Sequence, residues 1–168
     1  MIFKALPQPA SLVFLALRLA LLDLTSKYIM FQALASASTP SIPLWPGVLH
    51  LTLAQNKGVA FSFFSDWPVA FLVFLNTVLL GLLLYALWQY RAYLSASKRY
   101  YWAAALLLAG AIGNGADRLL NGGVTDFIDL RWLQFPIFNL ADVFLTLSVA
   151  LFIWGKLTVN DIKSERMN

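Results

Sequence analysis

Four long apolar runs constrain this chain more than anything else in its sequence. They lie at about Ser11–Leu34, Pro68–Gln89, Tyr100–Leu120 and Asn139–Leu157. As helices rising 1.5 Å per residue, each is about 30 Å long or more, enough to cross the hydrocarbon of a bilayer. The chain has 168 residues, 60% hydrophobic and 12% charged, with a mean hydropathy of +0.72. That composition predicts one integral membrane domain, 1–168, and leaves no room for a second.

Charge sets the expected orientation. A short basic loop, Arg91 with Lys98 and Arg99, separates the second and third runs. Lys4 lies before the first run, and Lys156, Lys163 and Arg166 follow the fourth. The positive-inside rule therefore puts both termini and the 91–99 loop in the cytoplasm. A cleaved secretory signal is the competing reading of the N-terminus, because Lys4 precedes an apolar stretch and Ala33-Leu34-Ala35 resembles a cleavage site. Arg18, Asp23 and Lys27 argue against it by interrupting that stretch.

Residues 35–67 and 121–138 then face the other side, and neither reads as a simple loop. Val48 to Leu53 is an alternating, β-rich stretch; in the second segment Thr125, Phe127 and Asp129 alternate with Asp126, Ile128 and Leu130. A small outer sheet or cradle is expected from about 44–64 and 121–133, with Asn121-Gly122-Gly123 as a turn. Asp66 is a candidate N-cap for the second helix, and Pro68 is tolerated in its first turn.

The absence of Cys removes disulfides, thiolate nucleophiles and Cys-based metal sites. A single histidine, His50, leaves no zinc cluster and argues against a Ser-His-Asp triad. No metal or other cofactor is expected. The isoelectric point near 9.5 does not point to nucleic acid, since the basic residues are scattered near helix ends and serve as topology anchors.

Carboxylates beside lipid are costly, and each calls for a partner or a job. Six of the eight acidic residues, Asp23, Asp66, Asp117, Asp126, Asp129 and Asp142, fall in the outer segments or in helices at that side. Asp23 and Lys27, four apart, can pair on one helix face, as a neutralising bridge or as one wall of a site. Asn56 and Gly58 suit a tight turn, which is also a bland reading of that motif. Asn114 and Arg118 share a face of the third helix, and Asp117 is placed to hold the guanidinium; a packing seam with an interfacial ion pair is the plainer reading. Asn139 is a good N-cap, making Asp142 an ordinary N3 acid. That leaves Asp126 unexplained in an apolar strand. If the two carboxylates meet at the outer surface they share a proton, one activating water and the other protonating a leaving group.

Five motifs in order and spacing resemble those of bacterial lipoprotein signal peptidase (signal peptidase II): Asp23…Lys27, Asn56-Lys57-Gly58-Val59-Ala60-Phe61-Ser62, Gly113-Asn114-Gly115-Ala116-Asp117-Arg118, Val124-Thr125-Asp126-Phe127-Ile128 and Phe138-Asn139-Leu140-Ala141-Asp142. The match covers essentially the whole chain. It implies an aspartic endopeptidase of the bacterial inner membrane, with four spans, whose site faces the periplasm. It implies cleavage of a prolipoprotein before its diacylglyceryl-modified Cys. By position, Asp126 and Asp142 match the catalytic dyad. Asp23, Lys27, Asn56, Gly58, Asn114, Asp117, Arg118, Asn139 and Ala141 match substrate-binding or supporting positions. The partners implied are the lipid-modified substrate, membrane lipids and globomycin-type inhibitors, with the enzyme a monomer. Val59 departs from the Ala more usual in the family and narrows the site slightly. Two rivals from other classes are a proton-coupled transporter, disfavoured by the lack of an inverted repeat, and a non-enzymatic membrane scaffold.

Overall fold

The computed structural model describes residues 9–35, 41–58, 67–91 and 97–165. Helix α1 runs Pro9–Ala35, α2 Val69–Gln89, α3 Lys98–Asn121 and α4 Leu140–Glu165. Strands β1 (Ser41–Trp45), β2 (Leu49–Asn56) and β3 (Val124–Leu130) form one antiparallel sheet in that order.

Three helical stretches are long and apolar enough to cross a membrane: Val69–Gln89, Lys98–Asn121 and Leu140–Leu157. Helix α1 is longer, but Arg18, Asp23 and Lys27 interrupt it. In α4 the apolar part stops at Leu157, as expected, while the helix continues to Glu165. Among the described residues the protein is mostly helical, with the small sheet expected from the alternating segments.

Helix α3 is the central one and packs against α1, α2 and α4. Lipid offers no hydrophobic contrast between helices, so close packing must supply the association, and small residues permit it. Ala103, Ala104, Ala105, Ala109, Gly110 and Gly113 are all buried in α3. A Cβ at Gly110 would lie 2.7 Å from the Ala141 carbonyl and 2.6 Å from Leu145 Cγ. Leu12 and Ala16 of α1 and Phe144 of α4 close the same core. Helix α2, by contrast, is exposed or half-buried along its length, with Leu72 its one buried residue.

One detail departs from the sequence reading. Pro68, not Asp66, occupies the N-cap of α2, so the proline stands just outside the helix and not in its first turn. Asp66 lies outside the described residues. Gly122, at φ 72°, is the left-handed cap that ends α3, its N–H donating to the Arg118 carbonyl. That is the turn expected at 121–123, and it suits a residue with no Cβ.

The sheet contains a one-residue irregularity with consequences for the site. Leu51 pairs with Ile128 and Ala54 with Asp126, so Thr52 and Leu53 of β2 oppose Phe127 alone. Such a bulge reverses the alternation beyond it. His50 and Thr52 share a face with Asp129, whereas Ala54 and Asn56 share one with Asp126.

Candidate active site

Asp126 sits in the middle of β3, 3% exposed. Asp142 lies in the first turn of α4. Asn139 joins them. Its side-chain Oδ1 accepts the Asp142 N–H at 3.0 Å, and the Asp142 Oδ2 accepts the Asn139 N–H at 3.2 Å. These reciprocal bonds form the capping box that starts α4. The Asn139 Nδ2 has two hydrogens left and uses both, donating to Asp126 Oδ1 at 2.6 Å and to Asn114 Oδ1 at 3.1 Å. Asn114 Nδ2 in turn donates to Asp142 Oδ1 at 2.9 Å. Asn139, Asp142 and Asn114 thus close a ring, with Asp126 hung from the buried Asn139. A side-chain hydrogen bond from Asn56 reaches Asp126 from β2, across the face that the bulge provides. The Asn56 Oδ1 accepts the Gly58 N–H at 3.0 Å, fixing the turn expected there.

Beneath this ring lies a charged support. Lys27 Nζ donates to Asn114 Oδ1 at 2.8 Å and pairs with Asp23 at 2.8 Å, the i,i+4 bridge read from the sequence. It also lies 3.6 Å from Asp117. Asp23 Oδ1 accepts the Ala141 N–H at 2.8 Å, tying α1 to the first turn of α4. Gly113 makes room, since a Cβ there would overlap Asp23 Oδ2. These charges are almost wholly buried, and their mutual pairing offsets the cost of taking them out of water.

One expected contact is corrected. Asp117 does not hold the Arg118 guanidinium. Its Oδ2 accepts the Thr125 N–H at 2.6 Å and its Oδ1 the Asn121 amide at 2.7 Å. Adjacent helix residues point about 100° apart, so Asp117 braces β3 while Arg118 turns to the site. Arg118 donates to the Gly58 carbonyl at 2.7 Å and to the Asn114 carbonyl at 3.4 Å. Its buried Nε has no hydrogen-bond partner among the described residues. Thr125 was missed by sequence reasoning, although its place directly before Asp126 was the available signal. Val59 to Ser62 of the second motif lie outside the described residues.

The two carboxylates differ in environment. Burial, then the neighbouring charge of Asp142, pushes the Asp126 carboxyl up to about 7, against the Asn139 and Asn56 donors that favour its charged form. Asp126 therefore holds a proton near neutrality. A cavity of about 1080 Å³ opens in front of the pair, reached by Asn56, Asn114, Arg118, Asp126 and Asp142 and otherwise walled mainly by leucines and the Phe135–Phe138 segment. Among the described residues, no three His, Cys, Asp or Glu side chains converge as metal ligands.

Ser41, His50 and Asp129 do gather on the opposite face of the sheet, but not as a nucleophilic triad. His50 Nε2 accepts the Gly47 N–H at 3.2 Å, and Nδ1 faces Ser41 Oγ at 3.3 Å. Asp129 instead accepts from Thr52 at 2.7 Å and Arg131 at 3.0 Å. Burial acts to raise the Asp129 carboxyl, yet these donors and the Arg131 charge hold it below its ordinary value.

A multi-pass membrane protein with paired carboxylates at the head of an apolar cavity has the features of a membrane-embedded aspartic hydrolase. Comparison with known proteins narrows that class. Residues 15–158 match the signal peptidase (SPase) II family. The lipoprotein signal peptidase of Gloeobacter violaceus is 42% identical over 151 residues, covering 84% of this chain and 78% of that protein. That of Synechocystis sp. is 40% identical over 136 residues, covering 80% of each. A bacterial membrane enzyme solved by the in meso method at 2.3 Å superposes with a TM-score of 0.79 at 31% identity, covering 95% of this chain and 94% of that one. The chain belongs to the signal peptidase II family.

Proposed function

We propose that this protein removes signal peptides from diacylglyceryl-modified prolipoproteins, cleaving before the lipidated Cys, with Asp126 and Asp142 as the catalytic pair. The observation that carries the reading is the single Asn139 side chain that caps the helix bearing Asp142 and holds Asp126. Family membership supports the protease activity and the lipoprotein substrate. The raised carboxyl of Asp126, which keeps a proton near neutrality beside Asp142, supports the mechanism.

Asp142, whose charge pushes Asp126 upward, takes a proton from water as the water oxygen bonds to the scissile carbonyl carbon. Asp126 gives its proton to the carbonyl oxygen, forming a neutral gem-diol. Collapse of that diol breaks the C–N bond. The proton on Asp142 passes to the leaving amine, and Asp126 regains one from a diol hydroxyl, restoring the resting pair. Arg118, Asn56 and Asn114 line the cavity as polar contacts for the substrate backbone. The apolar walls accept lipid chains and exclude bulk water.

In this reading the chain is one domain of four spans, with α1 the fourth, in the bacterial inner membrane. Both termini are cytoplasmic and the site opens to the periplasmic face. The enzyme works as a monomer, and globomycin-type peptides compete for the cavity. The test is cleavage of a lipidated precursor peptide by purified protein in detergent, beside the same peptide without its diacylglyceryl group. Cleavage before the lipidated Cys, with the bare peptide left intact, is the expected result. Proton-driven flux in liposomes with no cleavage would show a transporter instead.

A further inference from the structure

One wall of the cavity is built by α2, whose contributions are Asn76, Leu79, Leu80 and Leu83. Asn76 is the one polar side chain among them. It is half-buried and makes no hydrogen bond to any described residue, so its amide is left unsatisfied by the protein in an apolar setting. The fold nevertheless makes room for it. A Cβ at Gly115 would overlap Asn76 Oδ1 and come within 3.5 Å of Nδ2. Gly115 directly follows Asn114, which bonds Asp142 at 2.9 Å, so Asn76 abuts α3 one residue from a direct partner of the reacting pair. Thr77, the next residue, is different. It satisfies itself by donating to its own Val73 carbonyl at 2.8 Å on the exposed face.

We propose that Asn76 is a substrate-binding residue that pairs with the backbone of the signal peptide beside the scissile bond. This rests on the cavity being the substrate site. A peptide entering from lipid as a helix must unwind before a carboxyl pair can reach one of its bonds. Unwinding frees N–H and C=O groups that hydrocarbon cannot satisfy. The dyad, Asn56, Asn114 and Arg118 stand ready on one wall, but α2 would offer only methyl groups without Asn76. An asparagine amide carries a donor and an acceptor on one planar edge, matching the N–H and C=O of one extended residue. The contact reads backbone and not side chain, so it serves substrates of varied sequence.

The test uses the purified full chain, a lipidated precursor peptide and a series of that peptide methylated at one backbone nitrogen at a time. Asn76→Leu, close to isosteric, is expected to raise KM about 5- to 20-fold with kcat within about twofold. Its melting temperature should be unchanged or higher. In the wild type, one N-methyl position near the scissile bond should cost about tenfold in kcat/KM; in Asn76→Leu that position should cost nothing further. A wild-type KM in Asn76→Leu would overturn the proposal. So would a loss in kcat that tracks a fall in melting temperature, or N-methyl penalties identical in the two proteins. Failure of the wild type to cleave the unmodified lipidated peptide would instead refute the peptidase reading itself.

Discussion

Asn139 has no spare amide hydrogen. Its Oδ1 starts α4 and its two amide hydrogens hold Asp126 and Asn114, so the geometry of the carboxylates depends on a helix cap. The proton on Asp126 has a measurable consequence. The folded protein binds that proton up to about pH 7, whereas the unfolded chain releases it near pH 4. The folded state therefore binds it more tightly, and this group's contribution to stability falls as pH rises from about 4 to about 7. Activity should follow the same proton. Above about pH 7 Asp126 loses its proton, and kcat/KM should fall about tenfold per pH unit. A pH–rate profile flat from 6 to 9 would exclude Asp126 as the acid. At this scale the sequence was informative where motif spacing carried the signal: Asp23 with Lys27, Asn139 with Asp142. It misled at Asp117, because two adjacent charges suggest a pair that helical geometry turns apart.

Helix positions could be read from apolar run length, and the sheet from alternation. The bulge in β2 could not, because nothing in Leu49–Asn56 departs from a regular strand. Strict alternation would have put Asn56 beside His50 and Thr52, away from Asp126. The extra residue turns it to the site, which is why the Asn56 motif read as a mere turn. The support under the site was partly legible through Gly113, four residues from Ala109. Gly113→Ala should push its new methyl into Asp23 Oδ2. Thermal unfolding in detergent should show a loss of about 1–3 kcal/mol, with reduced cleavage as Asp23 releases Lys27 and Ala141. Gly81→Ala is the matched control, since a Cβ there meets nothing within 4 Å. It should be neutral or stabilising by up to about 1 kcal/mol.

Taken whole, the protein gathers its buried carboxylates at one end of a bundle whose outer surfaces are apolar. Phe74 and Leu82 of α2 and Val149 and Ile153 of α4 are exposed, as a bilayer-facing surface requires. The orientation proposed from Lys and Arg placement can be checked cleanly, because the chain contains no cysteine. Single cysteines at Lys98 and Lys156 should react with an impermeant maleimide only after the inner membrane is opened. One at Asn121 should react from the periplasmic side. The reverse pattern would invert the topology and put the carboxylates at the wrong face for a secreted lipoprotein.

The central claim is that Asp126 and Asp142 together break the peptide bond, and replacing each by its amide tests it most directly. Asparagine keeps the shape of the carboxyl but cannot take or give the proton. Asp126→Asn and Asp142→Asn should each abolish cleavage of a lipidated precursor in detergent while both proteins remain folded, as judged by circular dichroism and a retained cooperative melt. Cleavage at the wild-type rate by either variant would contradict the dyad.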